Sequence, residues 1–181
     1  MVDFTLTDEQ SAIRELAREF AEQEIMPVAL ERDREPDPLK RLNEDILEKG
    51  DKVGFRTLLL SKEWGGPEST VDTLSVCLLT EELARGDLGM CAVILGPAVM
   101  AKWIQDVCTD EQRQRFLVHF RDDPVYTLAN AITEPNFAGS NLMMPFYEGC
   151  RLGTAATLDG DEWVINGSKI SRPTAHWRSS S

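Results

Sequence analysis

Residues 130–141 read Asn130-Ala131-Ile132-Thr133-Glu134-Pro135-Asn136-Phe137-Ala138-Gly139-Ser140-Asn141. The apolar run 125–129 precedes them and is typical of a strand. Pro135 fixes its own φ and lacks an amide donor, whereas Gly139 allows a tight turn and the close approach of a ligand. Thr133 and Ser140 place hydroxyl and amide groups on either side of the turn. The stretch therefore predicts a loop able to hold a planar, acceptor-rich ring at one end and a phosphate at the other. The alternative is a strand-to-loop connection with ordinary turn residues.

Composition narrows the class of protein before any motif is considered. The chain has 181 residues, 42% of them hydrophobic, which is enough for one large domain or for one and a half small ones. Its formal net charge of −12 argues against nucleic acid and anionic membrane surfaces as partners, because both bind basic patches. An anionic ligand is still allowed, provided that local donors bind its phosphate.

The cysteines and the apolar segments indicate where the protein works. The four cysteines show no metal-binding spacing and no dense disulfide framework: Cys77, Cys91, Cys108 and Cys150. We expect free thiols in a reducing compartment, hence a cytoplasmic protein, with disulfides as the less favoured alternative. The amino terminus lacks a basic, apolar signal. The apolar run 88–101 has 14 residues, which predicts a buried core helix rather than a membrane span.

Capping signals predict about five helices in the first two thirds of the chain. Thr7 with Gln10, and later Thr109 with Gln112, form two capping boxes, which we interpret as one device used twice rather than as an internal repeat. The first helix is expected to end or bend at Pro27.

Proline and glycine set the expected bounds of the other helices. The second helix is expected to begin at Asp37-Pro38 and to stop at Gly50. The third covers residues 70–85 and is ended by Gly86, the fourth covers 88–107, and the fifth ends near Arg121.

The pattern changes at Asp122-Asp123-Pro124. Residues 125–132 and 151–158 have strand character, Asp159-Gly160-Asp161 is a hairpin turn, and residues 162–165 form the returning strand. The predicted fold is mainly α: an amino-terminal bundle of about five helices followed by an incomplete antiparallel β domain. The predicted domains are a helical domain over 1–122, the opening strands of a β domain over 123–170, and an irregular tail over 171–181.

Several of these stretches resemble one protein family. The run Thr-Glu-Pro followed by Ala-Gly-Ser-Asn resembles the Thr-Glu-Pro-x-Ala-Gly-Ser-Asp signature of acyl-CoA dehydrogenases. Other stretches similar to that family are residues 6–10, 20–29, 64–66, 81–85 and 161–169. The resemblance covers most of residues 3–170 and implies a helical domain, a central β-barrel and a carboxy-terminal four-helix domain. By this resemblance the chain would hold the first domain and the opening strands of the second.

The resemblance also implies a chemistry and a cofactor. In the family an acyl-CoA thioester loses its α-proton to a carboxylate base and its β-hydride to N5 of FAD. Thr133 matches the residue that hydrogen-bonds the flavin near N5, and Ile132 would offer backbone donors to the pyrimidine edge, with Asn130 beside them in the cofactor set. Gly139 and Ser140 match positions near the FAD phosphates and the pantetheine arm, so Ser140 is also assigned to acyl-CoA. Glu134 and Pro135 would shape the loop without a chemical role.

The sequence departs from the family pattern at three places. Asn136-Phe137 stands where one residue is usual, which affects the register of Gly139 and Ser140, although a bulge can absorb the extra residue. Asn141 replaces the common Asp and removes a charge. Residues 171–173 read Ser-Arg-Pro where the family has Trp-Ile-Thr, whose Trp and Thr touch the flavin.

No residue of this chain is assigned as the catalytic base. In the family that Glu usually lies in the carboxy-terminal domain, beyond the part that this chain resembles. Glu24, Glu81 and Glu82 lie on charge-rich helices and are interpreted as solvated faces or ion pairs. His119 and His176 have no evident partner, so a structural role is favoured for each, and no metal site is predicted.

These observations lead to one leading hypothesis and two alternatives. The leading one is a truncated amino-terminal portion of an acyl-CoA dehydrogenase-like flavoenzyme, without turnover alone and with FAD and acyl-CoA as the ligands of the complete protein. The second is a non-catalytic interaction module, in which a homo-oligomer or partner chain covers the apolar surface and supplies the missing domain. The third keeps the scaffold but changes the reaction to that of a flavin-dependent oxidase or monooxygenase.

Overall fold

The computed structural model describes residues 5–37, 40–41, 44–69, 71–135 and 153–170. The chain divides into two compact units, one that includes the residues up to Leu128 and one that begins at Ala129. The first unit is helical and the second contains a hairpin, so the predicted fold class, a helical bundle followed by part of an antiparallel β domain, is confirmed.

The first three helical segments run without a break from Asp8 to Arg34 and form one rod, which starts at the predicted capping box and continues through Pro27. The Thr7 hydroxyl accepts the Gln10 amide at 3.1 Å, while the Gln10 side chain accepts the Thr7 amide at 3.0 Å. The rod consists of α1 (Asp8–Phe20), a π-helical segment (Ala21–Ile25) and α2 (Met26–Arg34).

Pro27 therefore does not end the helix. The Met26 amide reaches back to the Ala21 carbonyl across the wide π turn, and Pro27 falls in the first turn of α2, where a missing amide costs little. Gly86 lies against this segment, since a Cβ at Gly86 would come within 3.1 Å of Ile25 and 3.3 Å of Ala21.

Helix α3 (Glu44–Lys52) continues past the residue predicted to stop it. Gly50 lies inside α3, and the stop is Gly54, which has a φ of 83°. The Gly54 amide donates to the Asp51 carbonyl and the Phe55 amide to the Gly50 carbonyl, which is the hydrogen-bond pattern of a Schellman cap. The predicted stop at Gly50 was wrong because two glycines follow closely and only the second takes the left-handed conformation. The predicted helix start at Asp37-Pro38 is also wrong, because Lys40 lies in a turn and Arg41 in a bend before α3 begins at Glu44, although Pro38 itself lies outside the described residues.

The remaining helices agree closely with their predicted ranges. They are α4 (Thr73–Gly86), α5 (Leu88–Val107) and α6 (Asp110–Asp122). Asp72 and Asp87 cap α4 and α5, and the second predicted capping box, Thr109 with Gln112, begins α6. With the α1–π–α2 rod and α3, the described part of the chain contains the five predicted helices. Helix α4 packs against α1, α5 packs against α4, and α6 packs against α5.

Helix α5 includes the apolar run 88–101 and continues to Val107, as predicted. Its 20 residues are long and apolar enough to cross a membrane by length and composition, a test that core helices of soluble proteins also pass. One side of α5, including Met90, Ile94 and Ala98, is buried in the bundle.

Two apolar clusters form the core of the first unit. The larger joins α1, α3, α4 and α5, and its centre includes Phe20 and Phe55, whose rings meet edge to face at 5.2 Å. The smaller joins the end of α5 to α6 and contains Leu60, Trp64, Ala101, Leu117 and Phe120.

The turn that contains Trp64 ends at Gly66, where any larger residue would force the backbone to shift. A short 3-10 helix (Lys62–Trp64) precedes Gly65, whose φ is 88°. The Gly66 amide donates to the Ser61 carbonyl at 3.0 Å, and a Cβ at Gly66 would lie 1.7 Å from the Leu60 carbonyl oxygen. The two glycines of this turn have different reasons to be there: conformation at Gly65 and space at Gly66.

A buried arginine closes the carboxyl end of α6. The Arg56 side chain is 3% exposed and stacks on the Phe120 ring, with Cζ 4.4 Å from the ring centroid. Its guanidinium donates to the carbonyls of Phe120 (3.0 Å), Asp123 (3.1 Å) and Tyr126 (2.8 Å), and to the Asp51 carboxylate (3.2 Å). Burial lowers the pKa of Arg56, and Asp51 opposes that shift. The side chain therefore satisfies backbone acceptors that the helix end leaves open.

The strand predicted over residues 125–132 is not observed, and Arg56 binds the first part of this segment instead. Pro124 and Val125 form a turn, the Tyr126 amide donates to the Asp123 carbonyl, and the Tyr126 carbonyl accepts from Arg56. The first part of this segment therefore completes the helix end rather than a strand ladder. The strand prediction was wrong because an apolar run shows burial but not the hydrogen-bond partner.

The second unit contains the predicted hairpin. Strand β1 (Ala155–Asp159) pairs antiparallel with β2 (Glu162–Asn166), and Asp159 opposes Glu162 across a two-residue loop. Gly160 in that loop has a φ of 63°, as primed hairpin turns require. The register places Ala156, Leu158, Trp163 and Ile165 on one face. That face is apolar and exposed, with 66% of Trp163 and 70% of Ile165 accessible.

Candidate functional site

The candidate site is the turn at residues 130–135 of the second unit, which is built around the Glu134 carboxylate. Glu134 is 3% exposed although it lies in a loop. Its Oε2 accepts the Gly153 amide at 2.6 Å, and its Oε1 accepts the Thr154 amide at 2.9 Å. Oε1 also accepts the Lys169 ammonium at 2.9 Å. The carboxylate therefore joins the turn to the residues just before β1 and to the segment after β2.

These contacts explain the acidity of the group. The hydrogen bond from Lys169, together with the Gly153 amide, lowers the pKa of Glu134 from its usual 4.5 to about 2, against a smaller opposing effect of burial. The group is thus ionised throughout the physiological range. A carboxylate held in this state is a structural acceptor, and it is a poor candidate for a proton-accepting base at neutral pH.

Lys169 and Ile170 hold the backbone of the same turn. The Lys169 ammonium also donates to the Ile132 carbonyl at 2.9 Å, and the Ile170 amide donates to the Thr133 carbonyl at 2.9 Å. Residues 132, 133 and 134 are therefore each attached to the segment that follows β2. Gly167 permits this approach: its φ is 151°, and a Cβ there would lie 2.4 Å from the Thr154 hydroxyl oxygen.

Three of the five predicted cofactor-binding residues lie in this turn. Asn130, Ile132 and Thr133 are all half-buried and lie within four consecutive positions. Among the described residues, no hydrogen bond of the Thr133 hydroxyl is observed, so the hydroxyl adds a donor and an acceptor to a backbone that is held in place. Gly139 and Ser140 lie outside the described residues. The cofactor assignment of all five stays a prediction.

Sequence reasoning missed the two residues that organise the turn. Glu134 was assigned only to the shape of the loop, and Lys169 was noted only as part of a family-like stretch. The available signal was weak, because the two are 35 positions apart and nothing local connects them. The one local feature that could have suggested a buried, hydrogen-bonded carboxylate was the position of Glu134, directly before Pro135 and shortly after an apolar run.

The acidic residues considered as substitutes for a base are ion-paired or exposed, as predicted. Glu24 binds Lys49 at 2.7 Å, and Glu82 is held by both Arg18 and Arg85. The Arg18 hydrogen bond lowers the pKa of Glu82, which agrees with a permanent ion pair. Glu81 is exposed.

The other chemically active side chains form no site in the part of the chain that the structure describes. No group of three or more His, Cys, Asp or Glu side chains is placed to hold a metal there. The ring of His119 lies 6.0 Å from that of Tyr126, whereas His176 is outside the described residues. Cys77, Cys91 and Cys108 are free thiols, as predicted, and Cys150 is not among the described residues.

Comparison with known proteins connects this geometry to a family. Residues 7–122 match the family described as acyl-CoA dehydrogenase, N-terminal domain. The short-chain specific acyl-CoA dehydrogenase of Clostridium acetobutylicum is 37% identical over 171 residues, which cover 93% of this chain and 41% of that protein.

Solved structures agree in fold. A chain in the structure described as the electron transferring flavoprotein of Acidaminococcus fermentans is 30% identical, with a TM-score of 0.74, and the match covers 97% of this chain and 43% of that one. Butyryl-CoA dehydrogenase from Megasphaera elsdenii is 26% identical, with a TM-score of 0.73, over 96% of this chain and 43% of that one. The chain thus spans about two fifths of the length of these relatives. By its helical domain and its similarity to these proteins, the chain belongs to the acyl-CoA dehydrogenase family.

Proposed function

We propose that this chain is the amino-terminal portion of an FAD-dependent enzyme that introduces an α,β double bond into an acyl-CoA thioester, and that it has no turnover alone. The observation that carries the proposal is the turn at residues 132–134, whose backbone is fixed by Glu134, Lys169 and Ile170 and which contains the half-buried Thr133. The match covers about two fifths of each relative, so about three fifths of each relative lie outside it. We therefore assign this chain a share of cofactor binding and no proton transfer.

The polar groups of the turn support a flavin as its ligand. When bound, FAD supplies the chemistry of hydride acceptance, which no amino-acid side chain can supply. The Thr133 hydroxyl would hydrogen-bond the ring, and Ile132 and Asn130 would lie beside it. The fixed backbone means that these groups need little reordering when the ring binds, so more of the interaction energy appears as affinity. Acyl-CoA is the proposed substrate of the complete enzyme, and Ser140 is proposed to contact it.

The cofactor part of this proposal can be tested on the isolated chain by titration with FAD, followed by flavin fluorescence. We expect weak binding by the wild-type chain. Thr133→Val removes the hydroxyl and keeps the shape, so it should weaken binding about tenfold, as for loss of one hydrogen bond to a ligand. The matched control is Thr157→Val, because Thr157 is an exposed residue of β1. Equal affinity of Thr133→Val and wild type would contradict the assignment of Thr133.

The catalytic part of the proposal needs a complete enzyme. Replacing the amino-terminal domain of the Clostridium acetobutylicum relative by residues 7–122 of this chain should give a chimera that oxidises acyl-CoA, whereas the 181-residue chain alone should show no turnover with an artificial electron acceptor. Turnover by the isolated chain would refute the claim that proton abstraction lies elsewhere.

The hairpin favours a second candidate function, an interaction module. The apolar face formed by Ala156, Leu158, Trp163 and Ile165 is accessible, and a two-stranded hairpin is marginally stable alone. In this view a partner chain or a second copy covers that face. Light scattering after size-exclusion chromatography tests it: a monomer at all concentrations, with no partner bound, would argue against the module.

A further inference from the structure

Hydrogen bonds hold three consecutive residues of the candidate turn, Ile132 to Glu134. Glu134 accepts three hydrogen bonds, from the Gly153 and Thr154 amides and from Lys169, and Lys169 donates in addition to the Ile132 carbonyl. The Thr133 carbonyl, between these two attachment points, accepts from the Ile170 amide. Thr133 is therefore restrained through its own backbone and through both of its neighbours.

The Glu134 carboxylate and the Lys169 ammonium are closely packed and largely shielded from water. A Cβ added to Gly153 would lie 3.1 Å from Oε2 of Glu134. The side chains of Glu134 and Lys169 are 3% and 23% exposed, so water competes poorly for their ion pair. A charge-assisted hydrogen bond in such a site is stronger than an exposed one and holds its partners at a fixed distance.

Lys169 is better explained as part of this arrangement than as a ligand of a phosphate. Its ammonium already has a carboxylate at 2.9 Å and a carbonyl at 2.9 Å, and the carboxylate cancels its charge. The Glu134 carboxylate accepts three hydrogen bonds from donors of the protein. Neither group is needed to touch a flavin, and together they hold Ile132 and Glu134, the two chain neighbours of Thr133.

We infer that Glu134 and Lys169 form a positioning clamp that holds the backbone of Ile132 and Thr133 in place for the flavin ring of FAD. This inference rests on the proposed function, because the ligand is the one proposed there. The clamp works by preorganisation: the loop is ordered before the ligand arrives, so binding does not have to order it. Glu134 and Lys169 are thus positioning residues, and Thr133 is the residue in contact with the ligand.

The test uses the full 181-residue chain and two measurements. The first is hydrogen exchange of the Gly153 and Thr154 amides by NMR, which needs no cofactor. The second is the affinity for FAD from flavin fluorescence. The variants are Glu134→Gln, Lys169→Met and the conservative Lys169→Arg, and the matched control is Glu162→Gln, at an exposed position of β2.

We expect both amides to exchange about tenfold faster in Glu134→Gln and Lys169→Met, with FAD bound about tenfold more weakly. Lys169→Arg should restore much of both properties, because Arg keeps the charge and the donors. Glu162→Gln should match wild type. The circular dichroism of the helices serves to show that each variant is folded.

Each other outcome has a distinct meaning. Unchanged exchange in both disruptive variants would overturn the clamp. Faster exchange with unchanged FAD affinity would overturn its role in positioning and leave a purely structural ion pair. If wild type binds no FAD while the exchange rates respond as expected, the proposed function fails for this chain, and the role toward FAD fails with it.

Discussion

Replacing Arg56 by methionine should destabilise the helical unit more than any other single change at a charged residue described above. The substitution keeps an unbranched apolar stem of similar length but removes the guanidinium. Three backbone carbonyls, those of Phe120, Asp123 and Tyr126, then lose their donor, and Asp51 loses its counter-charge.

The size of the effect follows from those losses. A buried acceptor left without a partner costs about 1–3 kcal/mol, and removal of one member of a buried ion pair costs about 3–5 kcal/mol. Asp51 is 27% exposed and can be partly rehydrated, so the full sum is not reached. We therefore expect Arg56→Met to lower the free energy of unfolding by about 3–5 kcal/mol.

The assay is urea unfolding of the full chain followed by tryptophan fluorescence, which reports on Trp64 in the cluster beside Phe120. Arg115→Met is the matched control, because Arg115 also stacks on a ring of α6, at 5.5 Å from Phe116, but is exposed. The control should change the unfolding free energy by less than about 0.5 kcal/mol. A loss below about 1 kcal/mol for Arg56→Met, with an unchanged slope, would refute the claim that the guanidinium holds the end of α6.

Three further predictions concern other residues. The pKa of Glu134 lies below its usual 4.5, at about 2, so the contacts of its ionised form stabilise the second unit fully above pH 4.5 and are lost as the pH falls towards 2. NMR titration of the Glu134 carboxyl carbon should show this low midpoint. A midpoint near 4.5 would contradict the buried ion pair. Gly66→Ala should cost about 2 kcal/mol or more because its Cβ would meet the Leu60 carbonyl oxygen. Gly96→Ala should change the free energy of unfolding by less than about 1 kcal/mol in thermal unfolding, because outside its chain neighbours and its own helix backbone nothing lies within 4 Å of the added Cβ, and the gain in helix propensity is offset by the restriction that Pro97 places on the residue before it. Thr7→Ala should cost about 1 kcal/mol by removing the cap of α1, and an unchanged melting temperature would count against it.

Features with a local cause could be predicted from the sequence. The two capping boxes begin at Thr7 and Thr109 as expected, because the hydroxyl and its target amide are three residues apart. The hairpin likewise follows from alternating residues around Gly160. Each signal needs only a few neighbouring side chains, so a single sequence contains all the information.

Features that depend on distant partners could not be predicted. Gly50 and Gly54 look equally able to stop α3, and only the packing of Gly50 beside Phe20 and Phe55 decides between them. Arg56 stands out as a charge within an apolar run, but its four acceptors are supplied by residues before and after it in the chain, up to 70 positions away. The candidate site shows the same limit, since the loop motif indicated Thr133 but not the remote Lys169.

The π-helical turn in the first rod makes that rod tolerant of a one-residue deletion inside the turn. Each residue of an α-helix adds about 100° of rotation, and the wide turn at Ala21–Ile25 accommodates one residue more than regular winding would. Deleting a single amino acid there would restore regular winding and leave α2 close to its present rotation about the rod axis relative to α1. A one-residue deletion elsewhere in the rod would instead rotate everything beyond it by about 100°. Because Gly86 lies directly against Ala21 and Ile25, a one-codon loss inside the π turn would change this local contact rather than the register of the core.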